Sequence, residues 1–315
     1  MKNFDEVIAS VSQSAKKRRV AVAAANELSV LEATAAAHAK GWAEFHLCGP
    51  RDQIEQIAAA KNIDLSGMEI HSQPDDSKSA TQACMLVREG KADLLMKGYL
   101  HTDDFLRAVL DKERGLRRPG VIMSHVFLIE DVTREKFLMV TDAAMNIAPD
   151  LEKKAMIILN AVHMALALGV QRPKVACLTA VELVTPAMPQ TLDAAVLSKM
   201  AERGQFGVSC DVDGPLALDN ALSEVAAKQK KIVSAVAGKA DVLLVPDIQS
   251  GNMLAKAAVF MSNWRMCGVV LGAACPIILT SRADPIENKL LSIVTAVYLA
   301  DVERHARLKI GKVHY

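Results

Sequence analysis

The chain of 315 residues is short of aromatics: two Trp, three Tyr and seven Phe make up 4% of it. With 51% hydrophobic residues, its core has to be filled by Ala, Val, Leu, Ile and Met, as is common in α/β enzymes. Charge of one sign is lacking too. The 37 basic and 36 acidic residues leave a formal net charge of +1, which gives no electrostatic reason to expect a nucleic-acid or membrane-surface partner. The one basic cluster, Lys16 to Arg19, runs directly into the apolar stretch Val20 to Ala25 and reads as the flank of a first strand. No C-x-x-C pair occurs among the six cysteines, at 48, 84, 177, 210, 267 and 275, nor any Cys/His cluster at zinc spacing. Buried thiols in a reducing compartment are expected, and no metal. No charged-then-apolar leader opens the sequence. The longest apolar stretch, Cys267 to Leu279, is broken by glycine and falls short of the roughly 20 residues a membrane span needs. A soluble cytoplasmic protein is the expectation. G-x-G-x-x-G, Walker A, G-x-S-x-G and H-E-x-x-H are all missing, which weakens nucleotide, serine-hydrolase and zinc-protease readings.

What is present is alternation. Short apolar runs (Arg19 to Ala24, Ala43 to Leu47, Asp93 to Met96, Lys174 to Leu178, Asp241 to Val245) alternate with helical patterns at 29–40, 52–61, 79–89, 151–168 and 191–203. That rhythm predicts mainly parallel sheets with helices on both faces, a three-layer αβα sandwich. Further strands are expected at 121–129, 136–141, 207–211, 268–271 and 277–279, and helices at 216–228 and 252–262. The length suits two closely packed α/β domains, with the chain returning to the first after the second. We place the first at 1–146 together with 277–315 and the second at 147–276, with a cleft between them.

Ligands of open parallel sheets bind beyond the carboxyl ends of strands, so polar strand-to-helix loops are the places to search. Five qualify: "MKGYLHTDD" (96–104), "TDAAMN" (141–146), "DVDGPLALDNA" (211–221), "VPDIQSGNMLAK" (245–256) and "TSRAD" (280–284). The last runs on as "TSRADPIEN", where Asp284, Pro285 and Glu287 fit N-cap, N1 and N3 of a following helix. Ser281 and Arg282 then sit where open amides and the positive end of a helix dipole favour an anion. An ordinary surface arginine in a connecting loop is the plain alternative. Gly251 and Asn252 suit a turn whose amides point at a ligand, with Ser250 as cap, or simply a tight turn. "DGP" at 213–215 carries the same two readings. Asp211, Asp213 and Asp247 match no metal-ligand spacing.

Taken together, "MKGYLHTDDFLRAVLDKERGLR", "VTDAAMNIAPDLEKKAMIILNAV", "VDGPLALDNALSEVAAK", "ADVLLVPDIQSGNMLAK" and "ILTSRADPIENKLLSI" resemble the phosphate acetyltransferase and phosphate butyryltransferase family over about residues 80 to 300. "TDAAMNIAP", "DGPLALDNA" and "LTSRAD" are closer to the butyryl branch. The resemblance implies the fold of isocitrate and isopropylmalate dehydrogenases, a homodimer, and reversible acyl transfer between coenzyme A and orthophosphate. Acyl-CoA and orthophosphate are then the binding partners, with coenzyme A a substrate and no cofactor needed.

Carried over by residue, the family's Ser-Arg pair falls on Ser281 and Arg282, and its helix arginine on Arg107. The thiol-deprotonating aspartate falls on Asn288, with Glu287 beside it, so Glu287 or a group elsewhere is the base. Lys97, Asp142, Asn146, Gly251 and Asn252 complete the expected substrate contacts. The residue types suit the reaction: guanidinium groups pair with phosphate oxygens, a hydroxyl donates to the carbonyl oxygen, and a carboxylate takes the thiol proton. Glu287 has an equal rival role in the capping box. Two other readings stand beside this one: phosphate acetyltransferase specifically, and a non-catalytic acyl-CoA-sensing module. A metal- and NAD-dependent dehydrogenase of the same fold is disfavoured by the missing metal triad.

Overall fold

The computed structural model describes residues 1–281, 283–306 and 313–314, the side chains of 303–306 excepted. The chain opens with α1 (Phe4–Ser12), β1 (Arg18–Ala23), α2 (Leu28–Ala39), β2 (Ala43–Gly49), α3 (Arg51–Lys61), β3 (Glu69–Ser72), α4 (Asp76–Arg88), β4 (Leu94–Lys97) and α5 (Thr102–Leu110). A central segment follows with β5 (Ser124–Asp131), β6 (Lys136–Thr141), α6 (Leu151–Ala167), β7 (Lys174–Leu178), α7 (Pro189–Glu202), β8 (Asp211–Leu216), α8 (Leu218–Leu222), α9 (Glu224–Gln229), β9 (Val242–Leu244) and α10 (Ile248–Phe260). It closes with β10 (Met266–Leu271), β11 (Ile277–Ile278) and α11 (Ile286–Ala306). Among the described residues no helix is long and apolar enough to cross a membrane.

The elements form two compact units, each a mixed α/β assembly. The flanking unit comprises Phe4–Val121 and Arg265–His305; the central unit is built on Ile122–Trp264. In the flanking unit β3, β2, β1, β4 and β11 run parallel in that order, and β10 joins β11 antiparallel. In the central unit β6, β9, β7 and β8 run parallel, with β5 antiparallel to β6. The sequence reading placed the breaks after 146 and 276, whereas the units divide at Val121/Ile122 and Trp264/Arg265. Pairing explains the difference: the β5–β6 hairpin hydrogen-bonds to β9, and β10 to β11.

Local chemistry accounts for the elements. β1 is buried at every position except Arg19, as expected of an interior parallel strand. Its one buried cation, Arg18, is paired by Nε to Asp301 at 2.5 Å. Asp150 caps α6 by accepting from the Lys153 amide, and Gly169, at φ +93°, stops it. Three expectations need correction. The strand expected at 207–211 runs instead over Asp211–Leu216, so "DGP" lies in a strand and not a turn. That strand ends its sheet with one neighbour, where proline removes no needed ladder donor. A Cβ on Gly214 would come within 2.8 Å of Cys177, which is why the position holds glycine. Last, the helix expected over 216–228 is two short ones, divided at Ser223, which caps the second.

Candidate active site

The carboxyl ends of β1, β4 and β11 lie side by side in the flanking unit, the place where a parallel sheet presents its loops to ligands. The loop after β4 is tied down by Gly98 N donating to Ala23 O (2.8 Å) and Tyr99 N donating to Ala24 O (2.7 Å). Lys97, at the end of β4, is buried, and its Nζ donates to Gly98 O at 3.4 Å. After β11 comes Ser281, exposed, with its amide donating to the Asp284 carboxylate at 2.7 Å. Its Oγ accepts from Ala283 N at 3.4 Å, and a serine hydroxyl that accepts can still donate its own hydrogen. Arg282 lies outside the described residues.

Asp284 thus spends its carboxylate on the loop and does not cap α11, which begins at Ile286. The capping-box role of Glu287 falls with it. Glu287 is exposed, and its carboxylate accepts from Arg265 Nε at 3.2 Å, an arginine that also reaches Asp5. Asn288, where the family's aspartate would fall, is buried with Oδ1 turned to the Met266 amide at 3.5 Å. Arg107 stands on α5, three quarters exposed, paired with Asp104 one turn earlier at 2.7 Å. Such an exposed pair is worth little, so a phosphate can take the guanidinium from it. Thr102 is the first residue of α5, and His101 precedes it without a side-chain cap bond.

Sequence reasoning missed Lys289. This lysine is only 2% exposed, and its Nζ donates to Ser281 O (3.2 Å) and Asp284 O (2.8 Å), fastening both ends of the TSRAD turn. Burial holds its ammonium below the ordinary lysine value of 10.5, with the Asp284 and Glu27 carboxylates offsetting part of the effect. The charged form is therefore penalised below the folded value, and the penalty is relieved as pH rises from there toward 10.5. The signal was available: Lys289 shares a helical stripe with Ser292 and Ile293, both fully buried, so a lysine there faces inward. Lys289→Met is expected to lower kcat by about tenfold while shifting Tm little, because losing a buried charge offsets losing its bonds. Parallel kcat and melting measurements check this; a large Tm loss with unchanged kcat would make Lys289 purely structural.

The remaining expected residues gather in the central unit, where the loops after β6 and β9 meet. Val245 N donates to Thr141 O at 2.8 Å and Ile248 N to Ile147 O at 3.0 Å. Asp142 is 2% exposed, and its two oxygens accept from the amides of Ala144, Met145 and Asn146 and from Asn146 Nδ2. Its carboxylate thereby shapes the backbone of the loop after β6. Asn146 Nδ2 also reaches Met123 O (3.0 Å), and Asn252 Nδ2 donates to Ala143 O at 3.2 Å.

Gly251 and Asn252 are inside α10, not in a turn, and the cap is Asp247, which accepts from Ser250 N at 2.9 Å. Gly251 serves close approach: a Cβ there would lie 2.6 Å from Val245 Cγ2 and 3.0 Å from Ala143. The other aspartates weighed for a metal also have partners, Asp211 with Arg172 at 2.7 Å and Asp213 with the Gly214 amide at 2.8 Å.

Residues 76–297 match the model of the phosphate acetyl/butaryl transferase family. The chain belongs to that family. It is 45% identical over 300 residues to a phosphate butyryltransferase of Clostridium acetobutylicum, covering 95% of this chain and 99% of the relative. A phosphate acetyltransferase of Rhizobium meliloti is 42% identical over 307 residues, covering 97% and 96%. Among solved structures, a branched-chain phosphotransacylase from Enterococcus faecalis superposes with a TM-score of 0.79 at 30% identity, covering 90% of this chain and 99% of that one. Family membership extends the sequence resemblance: the match begins at residue 76, so Lys97, Arg107, Asp142, Asn146, Gly251, Asn252, Ser281, Arg282 and Glu287 all fall within it.

Proposed function

We propose that this protein moves a short-chain acyl group between coenzyme A and orthophosphate, with butyryl preferred over acetyl, as a homodimer and without cofactor. A phosphate oxygen attacks the thioester carbonyl, and the C–S bond breaks to give acyl phosphate and coenzyme A thiolate, which takes up a proton. In reverse, a base removes the thiol proton, sulfur attacks the carbonyl carbon of the acyl phosphate, and the C–O bond breaks to release orthophosphate. Arg282 and Arg107 hold phosphate through paired N–H donors, and Ser281 donates to the oxyanion forming on the carbonyl. Lys97 adds positive charge at the end of β4, and Asn146, Gly251 and Asn252 build the seat for the second substrate. Glu287 would have to leave Arg265 to act as base. Positioning supplies much of the acceleration, so no acyl-enzyme is needed.

The observation that carries this reading is the end-to-end likeness to a phosphate butyryltransferase, 45% identical over 95% of the chain, in a molecule that keeps Ser281 exposed beyond a parallel strand. Its test is phosphate-dependent release of free thiol from acetyl-, propionyl- and butyryl-CoA. Each methylene of a well-fitted chain is worth about 1–3 kcal/mol, so butyryl-CoA should exceed acetyl-CoA in kcat/KM by at least about tenfold. Preference for acetyl-CoA would move the protein to the acetyl branch. Acyl-CoA binding without turnover would make it a sensor.

A further inference from the structure

Far along the flanking sheet, three potential metal ligands converge on one face. β2 and β3 pair in parallel with His46 opposite Glu69, and His71 lies two residues on. Residues two apart on a strand share a face, so Glu69 and His71 point the same way, toward the side that His46 takes on the adjacent strand. His46 Nδ1 and His71 Nε2 stand 3.0 Å apart; Glu69 places one oxygen 3.2 Å from the first and the other 3.5 Å from the second. All three ligand atoms fall within 4.8 Å of one another. Two nitrogens bound to one ion at about 2.05 Å are separated by about 2.9 Å at a right angle and about 3.4 Å at the tetrahedral angle. The observed spacing lies in that interval with the backbone as it stands.

We propose that His46, His71 and Glu69 bind one divalent transition-metal ion, of which Zn2+ is the best match. Two imidazoles and a carboxylate form a borderline-soft set that suits zinc and its neighbours better than calcium or magnesium, which prefer oxygen alone. The imidazoles must be neutral to bind. Lys91 and Arg51 are close enough to His71 to act on it electrostatically. Both nearby cations have carboxylates of their own: Lys91 pairs with Glu89 at 2.8 Å and Arg51 with Glu55 at 2.9 Å. Cys48, opposite His71 in the register, is fully buried and does not join the cluster of three. His71 also lines a cavity of 560 Å3, which leaves room for water to complete the coordination.

An ion there would clamp β3 to β2. β3 is four residues long with none fully buried, and beyond its ladder bonds Arg51 Nη2 donates to Ile70 O at 2.8 Å. The site lies on β2 and β3, away from the carboxyl ends of β1, β4 and β11, and its occupancy can be read without any activity assay.

The test uses the full chain without an affinity tag, stripped by chelator and titrated with ZnCl2 in a calorimeter. One equivalent should bind in the micromolar range or tighter. Glu69→Gln, an exposed and nearly isosteric change, and His71→Gln should each weaken it, the histidine change by on the order of 100-fold. Saturating zinc should raise Tm by on the order of 5 °C in the parent and not in His71→Gln, whose own Tm without metal serves as the folding control. Co2+ should give visible absorption of low-symmetry nitrogen and oxygen ligation. Absence of saturable binding, or the same binding in both variants, would overturn the site.

Discussion

Arg282→Ala is expected to reduce kcat/KM for phosphate by about 10²- to 10³-fold, the cost of removing one charge-stabilising donor from a transition state, about 2.7–4 kcal/mol. The expectation rests on what surrounds the residue. Ser281 on one side and Asp284 on the other are pinned by the buried Lys289, so the turn that carries position 282 is anchored at both ends. A guanidinium offers two parallel N–H donors to a phosphate, and an ammonium only a point charge. Arg282→Lys should therefore recover a minor part of the rate and leave the phosphate KM raised. Steady-state kinetics with phosphate varied at saturating butyryl-CoA measure both effects. Unchanged constants in the alanine variant would remove Arg282 from the reaction.

Gly98→Ala should cost about 3 kcal/mol and lower Tm by on the order of 5–10 °C, with activity falling further than stability explains. A Cβ at this position would stand 2.2 Å from Ala24 O and 2.4 Å from Ala23 O, the two carbonyls that receive the Tyr99 and Gly98 amides. The obstacle is backbone, which cannot step aside as a side chain end can. Either the ladder between the ends of β1 and β4 opens, or the loop moves and takes Lys97 with it. Thermal melts and kcat on the same preparation test this, and native values for both would show that the loop has slack the geometry denies.

Much of this was readable from residues alone, and the misses have physical causes. Apolar runs such as "VAVAAA" and "LLM" gave away interior strands because nothing polar interrupts them, and the spacing of Met156, Leu159, Val162 and Leu166 marked α6. β3 was invisible because "EIHS" is half-exposed and carries no run. The three ligand candidates went unread for a related reason: their spacing in sequence is irregular, and only the register of two strands unites them. "DGP" read as a turn because proline and glycine usually mark one, whereas a strand with a single neighbour tolerates both. At the candidate site the sequence named Ser281 and its neighbours, but it could not show that Asp284 turns back to Ser281, that Glu287 is held by Arg265, or that Asp142 is spent on its own loop.

β11 is inserted between β4 and β10 although it is made about 180 residues after β4, counting from Lys97 to Ile277. During synthesis the early strands must therefore wait, one flank of β4 without its eventual neighbour, until residues 277–278 have left the ribosome. A message cut short anywhere before the codon for Ser281 would yield a product lacking its serine hydroxyl and the lysine beneath it. The turn at Ser281 is fastened only once the chain has been made as far as Lys289.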